Sequence, residues 1–134
     1  MPVNERLPVW PYRIILVEDD ENLRNVLAAA LRRQGWPVSP APDADGGLDA
    51  MGEPPRPAML ITDIDLGPGP SGLLLADHTK IRFPFVPIIL MSGHWTPEAE
   101  QHGVPDAVLL RKPFRVFDLV DVVKRFLPVQ EPLE

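Results

Sequence analysis

Four short apolar runs each stop on a polar residue, and segments of helical spacing fill the gaps between them. "YRIILVEDD" ends in Glu18, Asp19 and Asp20, and "PAMLITD" ends in Asp63. "FVPIILMSG" reaches Ser92, and "AVLLRKP" reaches Lys112. Unbroken aliphatic runs of this length predict strands buried on both faces. After the first, Leu23, Val26, Leu27, Ala30 and Leu31 recur at helical spacing from Glu21, with Gly35 as a stop. Val38 to Pro42 predicts a poorer strand, and its prolines place it at an edge. "DADGGLDAM" predicts a short, glycine-weakened helix. Leu73 to Arg82 predicts a helix with Ser71 as N-cap. Thr96 to Gln101 predicts a short one with Pro97 in its first turn. Val116, Leu119, Val120, Val123 and Leu127 mark the last. Five strands alternating with five helices imply an α/β fold of parallel strands, right-handed crossovers and helices on both faces.

In such a sheet all the polar strand ends lie on one edge, where ligands of open parallel sheets bind. Several carboxylates, one hydroxyl and one ammonium should therefore converge. Clustered carboxylates repel unless they share a cation or a proton. An oxygen-only cluster selects a hard cation such as Mg²⁺. A carboxylate can attack phosphorus to give an aspartyl phosphate, while a metal and a lysine neutralise the equatorial oxygens and a serine hydroxyl bonds one of them. No Ser-His-Asp arrangement, histidine metal site or P-loop is visible. The chain has 134 residues and a net charge of −6, with 45% apolar residues and no cysteine. That suits one soluble domain, argues against a general nucleic-acid or membrane surface, and excludes disulfides and thiolate metal sites. Without a signal-peptide segment or a run near the roughly 20 residues of a membrane span, a cytoplasmic location is expected. The 18 prolines lie mostly between the periodic segments, so they read as punctuation of a compact fold rather than as disorder.

The pattern resembles the receiver domain of bacterial two-component response regulators, the family of the chemotaxis regulator. "ILVEDD" is similar to that family's acidic start, "LITDIDL" to its phosphoacceptor strand, "IILMSGH" to its hydroxyl strand and "LLRKPF" to its lysine strand. The resemblance runs from about Tyr12 to Leu127. It implies a flavodoxin-like doubly wound five-stranded parallel sheet, order 2-1-3-4-5, with five helices. Residues 1–11 would be an N-terminal arm, 12–128 the receiver domain and 129–134 a C-terminal tail. By resemblance Asp63 is the phosphoacceptor. Asp19 is a direct Mg²⁺ ligand, Glu18 holds the metal through water, and the backbone carbonyl of Asp65 is the third protein ligand. Ser92 turns towards the phosphoryl group and Lys112 pairs with it. The Lys112-Pro113 bond is expected to be cis. The implied partner is a histidine kinase or phosphotransfer protein, the downstream protein is unspecified, and a homodimer is allowed for. With seven residues after Leu127, no output domain is expected, so signalling would run through protein contact or competition for phosphoryl groups.

Two departures stand out. An aromatic residue is common in the family three positions before the lysine, and Leu109 stands there, which puts aromatic switching at this site in question. Gly72 comes nine residues after Asp63, so the intervening loop is one residue longer than usual. The motif combination is similar to a subgroup of stand-alone and kinase-attached receivers.

Other readings stay open for these residues. An aspartate before a loop can simply form a turn, and Asp20 reads better as a first-turn helix acid than as a metal ligand. His94 can face the site or only solvent, His78 and His102 read as surface residues, and Trp10, Trp36 and Trp95 as covers of core edges. "DIDLGPGPSG" starts like a calcium loop, but Leu74 stands where that loop needs a glutamate. The apolar residues of the last helix serve either the core or an interface. "DID" also resembles the D-x-D of haloacid-dehalogenase-like phosphatases, with Asp63 as nucleophile and Asp65 as acid/base. A receiver-like scaffold that binds without phosphorylation is the third reading.

Overall fold

The computed structural model describes residues 12–93 and 106–129. Its elements run β1 (Tyr12–Val17), α1 (Glu21–Arg33), β2 (Val38–Ala41), α2 (Ala44–Gly52), β3 (Arg56–Asp63), α3 (Gly72–Arg82), β4 (Ile88–Ser92), β5 (Val108–Arg111) and α4 (Val116–Lys124). The five strands form one parallel sheet in the order β2-β1-β3-β4-β5. Four helices fall among the described residues. The fifth expected helix, at Thr96–Gln101, lies outside them, as do the proposed arm, most of the tail, His94, His102, Trp10 and Trp95.

Period-two alternation along the central strands splits the core into two layers. Ile14, Leu16, Met59, Ile61, Ile89 and Met91 face α1 and α4, where Leu27, Leu31, Leu119 and Val123 meet them. Ile15, Val17, Leu60, Ile88 and Leu90 face α2 and α3 and meet Met51 and Leu75. Runs that looked unbroken in sequence are thus read alternately by two helix layers. Trp36 is 1% exposed, and its Nε1–H donates to the Pro128 carbonyl at 2.8 Å, which ties the chain after α4 to the core. Most of the apolar face of α4 is core: Leu119, Val120, Val122 and Val123 are buried, while Phe117 and Phe126 stand exposed.

The boundaries hold to within a few residues, and the differences have causes. β4 starts at Ile88 rather than Phe85. Pro87 has no N–H for the ladder, though its carbonyl accepts from Leu60 N–H at 3.0 Å. Ser71 caps α3 as expected, its hydroxyl accepting from Leu74 N–H. Asp20 sits one position earlier than the first turn: it is the N-cap of α1, its carboxylate accepting from Leu23 N–H at 2.9 Å. The Lys112-Pro113 bond is cis, and so is Pro54-Pro55, which the sequence did not single out. No helix among the described residues is long and apolar enough to cross a membrane.

Candidate functional site

β1, β3, β4 and β5 finish on the same edge, and each delivers one polar group there. Glu18 follows β1, Asp63 and Ser92 end β3 and β4, and Lys112 follows β5. In register, Asp63 pairs with Met91 and Ser92 with Arg111, so the three ends step across neighbouring strands. Lys112 N–H donates to the Ser92 carbonyl at 2.7 Å, which fixes the loop after β5 against β4.

The Lys112 ammonium bridges two acids. Nζ donates to Glu18 Oε1 at 2.7 Å and to Asp63 Oδ2 at 2.9 Å. The Glu18 side chain is fully enclosed, and that of Asp63 is 8% exposed. Glu18 is held further by Asp20 N–H, which donates to Oε2 at 3.1 Å. Carboxylate oxygens of Glu18, Asp19 and Asp63 lie within 4.8 Å of one another.

Three clustered carboxylates share one ammonium, so the set carries excess negative charge. Burial pushes the Glu18 carboxyl above its ordinary value, against the hydrogen bond from Lys112. Burial raises Asp63 too, opposed by Lys112 and helped by the charge of Asp19. For Lys112, burial pulls the pKa down, but the hydrogen bonds and charges of Glu18 and Asp63 outweigh it and the net shift is upward. Buried like charges with all-oxygen donors are what a hard divalent cation relieves, so the residues present fit Mg²⁺.

The loop after Asp63 is shaped around this edge. The Asp65 carboxylate accepts from Gly67 N–H at 3.2 Å, so that side chain forms the turn. Gly67 takes φ +77°, a conformation that suits glycine. Leu66 is 4% exposed and anchors the loop in the α2–α3 core layer. The loop closes where Gly72 N–H donates to the Ile64 carbonyl at 2.9 Å. A Cβ on Gly72 would lie 1.9 Å from the Asp63 carbonyl oxygen. Sequence reasoning marked Gly72 only as the end of a long loop. Its contact with the backbone of Asp63 shows in sequence as nothing more than a glycine at a helix start.

Ser92 is buried at the edge. Leu109 packs half-buried against the α2–α3 layer. His78 is exposed, as expected.

Residues 14–124 match the family model for the response regulator receiver domain. The chain is 34% identical over 119 residues to the nitrogen assimilation regulatory protein NtrX of Azorhizobium caulinodans, covering 85% of this chain and 26% of that protein. The chain spans about a quarter of the length of the curated relatives it matches. A response regulator receiver protein from Sinorhizobium medicae superposes with TM-score 0.80 at 27% identity, covering 90% of this chain and 97% of that one. The response regulator TrrA of Thermotoga maritima, solved with Mg²⁺ and BeF, superposes with TM-score 0.72 at 25% identity over 87% of this chain and 99% of that one. None of these matches supports the phosphatase reading, and the Asp65 carboxylate is engaged in a turn. Receiver domains are signalling modules rather than enzymes; they bind Mg²⁺ at an acidic pocket and work with histidine kinases or phosphotransfer proteins. With most of its length matched to that family and its acids, hydroxyl and lysine gathered at one sheet edge, the chain belongs to the response regulator receiver domains of two-component systems.

Proposed function

We propose that Asp63 accepts a phosphoryl group from a histidine kinase or phosphotransfer protein. The observation that carries this is the Lys112 ammonium, bonded at once to Glu18 and Asp63 beside a three-carboxylate cluster. An Asp63 carboxylate oxygen attacks the phosphorus of a phosphohistidine. The P–N bond breaks, and the leaving imidazole keeps its electron pair and takes a proton. Lys112 lies 2.9 Å from Asp63 Oδ2 and meets the charge that builds on the phosphoryl oxygens. Ser92, buried on the neighbouring strand end, supplies a hydroxyl to one of those oxygens. Glu18, Asp19, Asp63 and the Asp65 carbonyl would hold Mg²⁺, which neutralises phosphoryl charge when bound.

Phosphorylation turns Asp63 into a group of higher negative charge, which draws Lys112 and Ser92 inward. The ends of β4 and β5 then repack, and a surface for a downstream protein changes. Residues 12–128 form the receiver unit in this reading, since Leu127 is buried and Pro128 is bonded to Trp36.

The test incubates the protein with acetyl phosphate and Mg²⁺ and reads intact mass. The wild type should gain one phosphoryl group per chain and Asp63→Asn none. Equal labelling of Asp63→Asn, or an unlabelled wild type with no Mg²⁺-dependent change, would sink the assignment.

A further inference from the structure

The peptide that joins Glu18 to Asp19 carries two of the three clustered carboxylates, and a side chain from α1 holds it. Arg24 Nη1 donates to the Glu18 carbonyl at 2.8 Å. Arg24 is half-buried, one turn into α1, and reaches back to the end of β1. Glu18 stands just past that strand, where the ladder runs out. Its N–H still donates to the Ala41 carbonyl at 3.1 Å. No backbone N–H among the described residues donates to its carbonyl, although the residue is fully enclosed. A buried carbonyl requires a partner, and a guanidinium makes a charge-assisted one.

Other bonds at this turn fix the neighbours of Asp19. The Glu18 carboxylate accepts from Lys112 and from Asp20 N–H. The Asp20 carboxylate caps α1 at Leu23 N–H. Asp19 is the exposed acid of the cluster. Its side chain leaves the backbone next to the peptide plane that Arg24 holds, so that plane sets where the carboxylate points. Arg24 forms no ion pair among the described residues, so its bond to this carbonyl is what places it.

Two effects of Arg24 on a cation at the site oppose each other. Its positive charge repels the cation, but the side chain is partly exposed and salt screens exposed charges over about 8 Å. Its hold on the peptide keeps the ligand set assembled before the cation arrives. Groups that orient metal ligands are worth about 10–100-fold in metal affinity, so the hold outweighs the repulsion. We infer that Arg24 is a positioning residue for Mg²⁺, fixing the Glu18–Asp19 peptide so that the Asp19 carboxylate stands ready beside Asp63. This rests on the phosphoacceptor reading of the site.

The test titrates MgCl₂ into the full chain by calorimetry at fixed pH and ionic strength. Arg24→Met removes the donor, and Arg24→Lys keeps one. Arg32→Met is the control, because Arg32 lies on the same helix and its Nη2 donates to the Val38 carbonyl at 3.1 Å, where β2 begins. Circular dichroism verifies that all three are folded. Arg24→Met should bind Mg²⁺ about tenfold more weakly than wild type, Arg24→Lys should fall between the two, and Arg32→Met should match wild type. Acetyl phosphate labelling of Arg24→Met should be slow at low Mg²⁺ and approach the wild-type rate at saturating Mg²⁺. Unchanged or tighter Mg²⁺ binding by Arg24→Met overturns the inference. So does an equal loss in Arg32→Met, an Arg24→Lys no better than Arg24→Met, or labelling that saturating Mg²⁺ does not restore. A wild type that takes neither Mg²⁺ nor label fails the phosphoacceptor reading instead; a wild type that takes both, matched by Arg24→Met, fails this inference alone.

Discussion

Replacing Gly72 by alanine should damage both stability and phosphorylation, and the structure sets the scale. The new Cβ would lie 1.9 Å from the Asp63 carbonyl oxygen, 2.8 Å from its carbonyl carbon and 3.0 Å from Thr62 Oγ1. Real Cβ contacts stay beyond 3.0 Å, so one backbone must retreat by about an ångström. Neither can do so freely. Moving Gly72 stretches its N–H bond to the Ile64 carbonyl, now 2.9 Å. Moving the end of β3 loosens Ile64 N–H from the Met91 carbonyl, also 2.9 Å. Overpacking costs about 1–3 kcal/mol and a strained hydrogen bond about 1 more. Alanine returns less than about 1 kcal/mol of helix propensity at a helix start. The net loss should be about 2–3 kcal/mol, which lowers the urea midpoint by about 1–2 M at ordinary slopes. Because the clash falls on the backbone of Asp63, acetyl phosphate labelling should slow by about tenfold or more. Gly93→Ala is the control, since a Cβ there meets nothing within 4 Å; it should stay within about 0.5 kcal/mol of wild type. A Gly72→Ala midpoint within about 0.3 M of wild type, with unchanged labelling, would refute the reasoning.

Lys112→Met leaves the enclosed Glu18 and Asp63 without their ammonium. It should cost about 3 kcal/mol at neutral pH without divalent cation, and less with Mg²⁺ present, as urea unfolding in both conditions will show. Leu66→Ala empties the loop's buried anchor; about 2–4 kcal/mol should be lost in urea unfolding. The Glu18 and Asp63 carboxyls are raised in the folded state, so between the ordinary carboxylate value and their folded values the native protein holds more protons than the unfolded chain. Their contribution to stability is complete below the ordinary value and is lost as pH rises through the folded values. Stability without Mg²⁺ should therefore increase as pH is lowered from neutrality through that window, and Mg²⁺ affinity should fall over the same range. A series of urea midpoints and Mg²⁺ titrations against pH reads both signs.

The site was legible in sequence because a parallel sheet imposes a strict grammar on its strands. Interior strands are predominantly apolar on both faces, so Glu18, Asp63 and Ser92 stand out where their runs stop, Lys112 follows the edge strand β5, and the topology gathers those stops. The same runs concealed which residue faces which layer. Leu109 and Leu110 look alike in sequence, yet Leu109 meets the α2–α3 layer and Leu110 the α1–α4 layer. Phe85 misled for a related reason: it continues an apolar run, but the ladder waits for a residue after Pro87, and Phe85 is left in solvent. Gly72 was opaque because its requirement is a contact between distant backbones, and a glycine carries no side chain to announce it. Each feature missed in the sequence thus depends on what approaches a residue from another part of the chain. The strand ends were read because their chemistry depends on where the residue's own strand stops.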